Sequence, residues 1–198
     1  ALDSIRRLSL LRDDASFRNF VMARALLMCS ALSAPFYVAL AQQGETPGLT
    51  ALGGFVIASG VAGLVSGPFW GRYADRSSRL VMFAAALVTS GMGLLVFAIN
   101  QANSSWLGHW WFLPLAYLVL SIAHEGVRVG RSTYVVNLGD GNLRTDYVAI
   151  SNTVIGVLLL VVGSVGLLVP VLGNAGVIAV LAVMGLLGAV MTFRLKEV

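Results

Sequence analysis

Tyr117, Ser121, His124, Glu125, Arg128, Arg131 and Ser132 stand at spacings of three and four in an otherwise apolar run. On a helix these spacings make one polar stripe, opposite a face of Leu115, Leu118, Val119, Ile122 and Val127. Such a stripe can bind protons and hold anions. Glu125 is the one acidic residue deep in an apolar segment, and a carboxylate there can take up and release a coupling proton. His124 beside it and Arg128 one turn on can tune that carboxylate or hold an anionic group of a substrate. Glu125 and Arg128 are three apart and can also pair with each other. That gives a plainer reading, a structural ion pair that helps to pack a bundle. Arg131 lies nearer the end of the run and can snorkel to water. A second polar cluster, Ser151-Asn152-Thr153, sits near the start of another apolar run. Asn152 can reach a substrate; it can equally be hydrogen-bonding glue between helices.

The composition says what kind of element must hold these residues. The chain is 58% hydrophobic and 11% charged, against roughly a quarter charged in an average soluble domain. The mean hydropathy is +0.85. Glycine is abundant, with 22 residues, as in packed membrane helices. The expected partner is therefore a lipid bilayer. A charge on a lipid-facing stripe costs at least ~2.5–3.5 kcal/mol at the bilayer centre, so the stripe should face an aqueous cavity or a partner helix.

The net charge of +4 does not point to nucleic acid. The basic residues sit at the ends of apolar segments, without a Lys/Arg patch interleaved with stacking aromatics. Cys29 is the single cysteine; it cannot form a disulfide within the chain and reads as a small buried hydrophobe. There is no phosphate-cradling P-loop pattern. His109 and His124 lie apart, with no cysteine or carboxylate at metal-ligand spacing. Neither a metal, another cofactor nor an enzymatic activity is expected.

Apolar runs of about 20 residues cross a bilayer as helices. Six are predicted: Phe17–Ala41, Leu49–Gly71, Leu80–Asn100, Trp110–Val136, Tyr147–Pro170 and Asn174–Phe193. Turn residues separate them: Gly44, Pro47 and Gly48 after the first, Asp140-Gly141-Asn142 after the fourth, Leu172-Gly173-Asn174 after the fifth. The third and sixth runs are almost wholly apolar apart from glycines, Thr89 and Ser90, and read as peripheral supports. Arg24, about two turns into the first run, reads as a snorkelling anchor.

All thirteen basic residues fall before the first run or near its start, between the second and third, in or after the end of the fourth, or after the sixth. By the positive-inside rule both termini are cytoplasmic. Trp106, Trp110 and Trp111 gather at the outer end of the fourth run, and Trp70 at the inner end of the second, as interfacial residues. Residues 1–16, with Arg6, Arg7 and Arg12 among Leu8, Leu10 and Leu11, make a cytoplasmic amphipathic connector rather than a signal peptide. Residues 194–198 make a short cytoplasmic tail. The chain starts at Ala1 rather than Met and reads as a processed product, a truncation or a fragment of a longer polypeptide.

Between the second and third runs stands Gly67-Pro68-Phe69-Trp70-Gly71-Arg72-Tyr73-Ala74-Asp75-Arg76-Ser77-Ser78-Arg79. It resembles the signature loop of the major facilitator superfamily, a G-x-x-x-D-R-x-G-R pattern joining two membrane helices on the cytoplasmic side. Gly71, Asp75, Arg76 and Arg79 match; Ser78 stands where the family has Gly, and Leu80 where a second basic residue is common. The preceding Gly60, Gly63, Gly67 and Gly71 make small-residue spacings that let helices approach closely. Pro68 removes a donor and can bend the helix end. Asp75 can face a helix N-terminus, and Arg76 and Arg79 can pair with it or bind lipid phosphates.

The resemblance implies an all-α six-transmembrane-helix bundle with a 3+3 inverted repeat, half of a major facilitator fold. The C-terminal half is favoured. It implies that Gly67, Pro68, Gly71, Asp75, Arg76 and Arg79 form a gating latch, and that the fourth run lines a substrate path. The expected function is a secondary active transporter half-unit, moving a small solute by alternating access and coupled to protons, in a bacterial inner membrane. Tyr117, Ser121, His124, Glu125, Arg128, Arg131 and Asn152 would form the substrate and proton path. A second six-helix half is expected as partner: the other part of the same protein, a second copy or another membrane subunit. The alternative is a non-transport membrane scaffold or assembly subunit. The residues do not name the small-molecule substrate.

Overall fold

The computed structural model describes residues 10–43, 49–139 and 142–198. The positions of Arg6, Arg7, Gly44, Pro47, Gly48, Asp140 and Gly141, and most of the amphipathic connector, lie outside the described residues. The described chain is helical and contains no strand. A short turn α1 (Leu10–Asp13) leads into α2 (Ala15–Leu27) and α3 (Cys29–Ala41). There follow α4 (Leu49–Ala74), α5 (Ser78–Gln101), α6 (Phe112–Leu138), α7 (Asn142–Val162) and α8 (Val169–Phe193), with 3-10 turns at Ser105–Gly108 and Gly163–Leu168.

Five apolar helical stretches are long enough to cross a bilayer: Ala15–Ala41, Leu52–Ala74, Ser78–Gln101, Phe112–Leu138 and Leu143–Phe193. The last is 51 residues, about 77 Å at 1.5 Å per residue and far beyond the ~30 Å hydrocarbon core. It is broken at Gly173, whose φ of 69° and ψ of 172° are not helical. A positive φ costs glycine little because it has no Cβ. Val165 and Val169 before the break join the small cluster of Cys29, Val177 and Leu181, so the chain changes direction there. The turn predicted at Leu172-Gly173-Asn174 is thus present as a break at Gly173, where the fifth and sixth runs meet.

The first run is also jointed. At Met28 the amide bonds Ala25 O at 3.3 Å, a tighter turn than the α-helix, before α3 resumes. Pro35 inside α3 removes one further donor.

Asp14 sets the start of α2. Its Oδ1 accepts from the amides of Ser16 at 2.8 Å and Phe17 at 3.0 Å, satisfying two donors that the helix cannot. Its other oxygen accepts from the Tyr147 hydroxyl, and the Phe17 and Tyr147 rings stack at 4.2 Å. The first turns of α2 and α7 are thereby clasped. Burial pushes the Asp14 carboxyl up, but the Tyr147 hydroxyl, the two amides and Arg18 outweigh it and hold it below its ordinary 3.8. A depressed carboxyl contributes stability above its unfolded pKa, and that stability is lost as pH falls through the folded value. Asp14→Ala is expected to cost about 1–2 kcal/mol at pH 7. The gap to wild type should begin to narrow only as pH falls below the ordinary 3.8 and go on narrowing through the lower folded value, as read by thermal melts at pH 7 and at about pH 2.

Two apolar layers hold the bundle. At the end carrying the termini, Phe17, Phe20, Trp70, Met82, Tyr134, Tyr147 and Leu195 pack together. At the far end, Tyr37, Phe55, Val96, Phe112, Leu120 and Ile178 do the same. The most extensive helix pairing in the chain is α5 with α8, followed by α6 with α4 and with α5. The third and sixth runs are therefore central to the bundle rather than peripheral. Their apolar surface is mutual, and small residues such as Gly93 and Ala182 let the two backbones close together.

The poorly covered helices are α4 and α7. Leu64 is 80% exposed and Leu160 81%, and nothing lies within 4 Å of where a Cβ would stand at Gly60, Gly63, Gly67 or Gly71. Gly63 borders an open space between α3, α4 and α6, and Gly60, Gly67 and Gly71 have no close neighbour among the described residues. Trp70 is buried rather than interfacial. Its indole N–H donates to Ile122 O at 2.7 Å, so the ring is a wedge between α4 and α6. Trp106, Trp110 and Trp111 are exposed at the far end, as expected of interfacial rings.

Candidate functional site

A cavity of about 310 Å³ opens between α3, α4 and α6. Tyr117, Leu120, Ser121, His124 and Glu125 line it from α6, Ser30, Ala31 and Ala34 from α3, and Ser59, Ala62 and Gly63 from α4. The α6 side is the predicted stripe. Its three- and four-residue spacing brings one residue per turn to the same wall. The opposite walls are built of small residues, which leave room because they do not fill it.

Polar contacts fix the wall. The Ser30 hydroxyl and His124 Nδ1 are 3.0 Å apart, and Ser30 also donates to Leu27 O at 3.0 Å. With its proton on Leu27 O, Ser30 Oγ is left to accept from an Nδ1–H, which favours that tautomer and leaves Nε2 as the acceptor. Tyr117 meets Phe55 edge-on at 5.0 Å. Arg128 Nε donates to Glu125 Oε2 at 2.8 Å, and Nη2 lies 2.5 Å from the same oxygen. The predicted pair is therefore formed. It is not sealed off: the Glu125 side chain is 26% exposed and that of Arg128 61%. Glu125 sits at the boundary between the cavity wall and the arginines beyond it.

Arg131 and Asn152 lie elsewhere. Neither lines this cavity. Asn152 Oδ1 accepts from Arg24 Nη2 at 2.7 Å, and Ser151 Oγ accepts from Arg24 Nη1 at 2.6 Å. Asn152 is thus the glue of the two readings given to it. Arg24 is only 9% exposed and is not a snorkelling anchor; acceptors on α7 at its own depth hold it inside. Arg131 interacts with Arg24, Arg128 and Glu125 through charge. Ser132, the last residue of the stripe, is exposed and donates to Val129 O.

The glycine-to-arginine loop folds differently from expectation. Ser77, not Asp75, caps α5, its Oγ accepting from Leu80 N at 3.1 Å. Asp75 is exposed, and its carboxylate makes no hydrogen bond or ion pair among the described residues. Arg79 turns the other way. Its guanidinium donates to Leu195 O at 3.0 Å and Phe193 O at 3.3 Å, and pairs with Glu197 at 2.9 Å. A cation on the last carbonyls of a helix is favourable, and the end of α8 offers them. Arg76 lines an apolar groove with Phe69, Trp70, Tyr73 and Leu80. Ser78 needs no glycine-like geometry, since Asn103 is the only described non-glycine residue with positive φ. Pro68 and the open glycines lie on α4.

Sequence reasoning missed Ser30, Ser59 and Arg24. Ser30 and Ser59 are single serines in apolar runs, with no periodicity to mark them. Arg24 had a signal, a charge two turns inside an apolar run, but its partners on α7 were not legible. Among the described residues no three His, Cys, Asp or Glu side chains gather as metal ligands.

The architecture is that of a multi-pass membrane protein: all-helical among its described residues, with several helices long and apolar enough to cross a bilayer. The chain finds no match among protein-family models, curated proteins or solved structures.

Proposed function

We propose that this chain is a six-helix half of a secondary active transporter of the major facilitator type, and that it moves a small solute by alternating access coupled to protons. The observation that carries the reading is the cavity. It is a largely apolar space in a membrane-length bundle that nevertheless carries a carboxylate, an imidazole, a phenol and three serine hydroxyls on its walls. Ordinary helix packing would fill that volume with apolar side chains, and an intramembrane ionisable residue at such a place marks a solute or proton path. Glu125 is the proton site, His124 and Ser30 orient the wall, and Tyr117 and Ser121 contact the solute. The terminal end is cytoplasmic, since the basic residues gather on that half of each helix or in the connections there.

The bare glycine face of α4 and the exposed length of α7 support a second half docked beside them. The loop at Gly71–Arg79 then works against that partner with Asp75 and Arg76, whose side chains make no polar contact within the described chain. Arg79 instead fixes the tail.

The competing reading, a membrane scaffold, would place a partner subunit over the cavity and keep water out. Cysteine scanning separates the two. Ser121→Cys, in the native membrane and with Cys29 replaced by Ala, should react with a polar, membrane-impermeant maleimide, and the rate should fall when the solute is supplied. A thiol at position 121 that stays unreactive while one at an exposed position such as 132 reacts would favour the scaffold.

A further inference from the structure

Arg24 is nine-tenths buried, at 9% exposure, yet it has no carboxylate partner. Two of its nitrogens are held by the neutral oxygens of Ser151 and Asn152. The third, Nε, is buried with no hydrogen-bond partner. The charge that acts on it is another cation, Arg131. The Arg131 side chain makes no hydrogen bond among the described residues, and the charges acting on it are Arg128 and Glu125. Glu125 is already engaged by Arg128. Three guanidinium groups thus answer one carboxylate; Arg128 reaches water at 61% exposure, whereas Arg24, at 9%, does not. A buried positive excess of this kind is stabilised by a bound anion.

The placement is informative as well. His124 and Arg131 are seven apart on α6, so Arg131 shares a helix face with a residue of the cavity wall, and α2, which carries Arg24, packs on α6 near that level through the Phe20–Tyr134 stack at 5.1 Å. Both arginines lie two turns from the cavity, toward the end that carries the termini. Ser151 and Asn152 hold the Arg24 fork in position from α7, and a fixed planar fork recognises a carboxylate or phosphate through paired N–H donors.

We infer that Arg24 and Arg131 form a binding site for a small oxyanion, a carboxylate or a phosphate, on the terminal side of the cavity. The site rests on the transport reading in one respect: the anion is then the charged group of the solute. The binding itself can be tested without transport.

The test uses the full chain in nanodiscs of neutral phosphatidylcholine. Melting temperature is followed with inorganic phosphate or acetate against chloride at matched ionic strength. At a hundred times its Kd, a ligand of the folded state should raise the melting point by roughly 5–10 °C. Arg131→Gln should abolish the rise, and Arg131→Lys, which keeps the charge but not the fork, should reduce it. A third arm replaces part of the lipid with phosphatidylglycerol. A rise seen only there, and lost in Arg131→Gln, assigns the same site to a lipid headgroup. The site is refuted if no anion gives a rise, or if the rise is equal in wild type and both Arg131 variants. An Arg131-dependent rise in a protein that moves no solute would leave the site standing and remove only the transport reading.

Discussion

Glu125→Gln is expected to abolish uphill accumulation of the solute while leaving exchange down its own gradient intact. The amide keeps the shape of the side chain and a carbonyl acceptor but cannot carry a proton between the two sides. A proton gradient of about 2 pH units is worth about 2.7 kcal/mol, which sustains roughly a 100-fold solute gradient at 1.4 kcal/mol per decade. In proteoliposomes the variant should fall from that ratio to about one. Loss of the ion pair itself should matter little to the fold, because Arg128 is 61% exposed and keeps its contact with water. A variant that still accumulates solute against its gradient would remove Glu125 from the proton path. The pair with Arg128 would then be the packing device that the sequence also allowed.

Gly130→Leu is expected to break the bundle. A Cβ at position 130 would stand 3.0 Å from Ser78 O, 3.1 Å from Met82 N and 2.6 Å from Met82 Cγ. Two of these three neighbours are backbone atoms of α5, which cannot turn aside, so α5 and α6 must separate along one of the most extensive contacts in the molecule. Overpacking of a tight core costs about 1–3 kcal/mol even where side chains can adjust; here the loss should reach or exceed the upper figure. Gly63→Leu is the matched control. Nothing stands within 4 Å of its would-be Cβ, so the melting temperature of the isolated chain should hardly change. Detergent melts of the two variants side by side decide the matter. A Gly130→Leu protein as stable as wild type would mean that α5 and α6 are not packed as described.

The helices were largely legible because a bilayer sets the length of apolar runs that cross it, and a glycine between two apolar runs marked the break at Gly173. The jointed first run was not legible. Met28 is not a helix-breaking residue, so nothing in the local sequence marks its tighter turn. The cavity was half legible: Glu125 and its neighbours repeat with the helical period, whereas Ser30 and Ser59 become visible only when α3 and α4 are set against α6. The central place of α5 and α8 was hidden for a related reason. A uniformly apolar helix can face lipid or other helices with the same sequence, and the choice depends on which small residues meet. Arg79 shows the limit of local motifs, since its partners Phe193, Leu195 and Glu197 lie at the other end of the chain.

The attachment of α7 has a mechanical consequence. At the far end it runs through the 3-10 turn Gly163–Leu168 into the start of α8, which breaks at Gly173, and along its length it is sparsely covered, with Leu160 81% exposed. At the terminal end it is secured by the Arg24 fork and by the Asp14–Tyr147 clasp. It is a door hung at Gly173 and caught on Arg24. From Ser151 to Gly173 the lever is about 33 Å at 1.5 Å per residue. A swing of only ~5° would carry the catch ~3 Å, past the range at which a hydrogen bond holds. Small rotations at the hinge therefore suffice to release or re-engage the one buried cation of the first span.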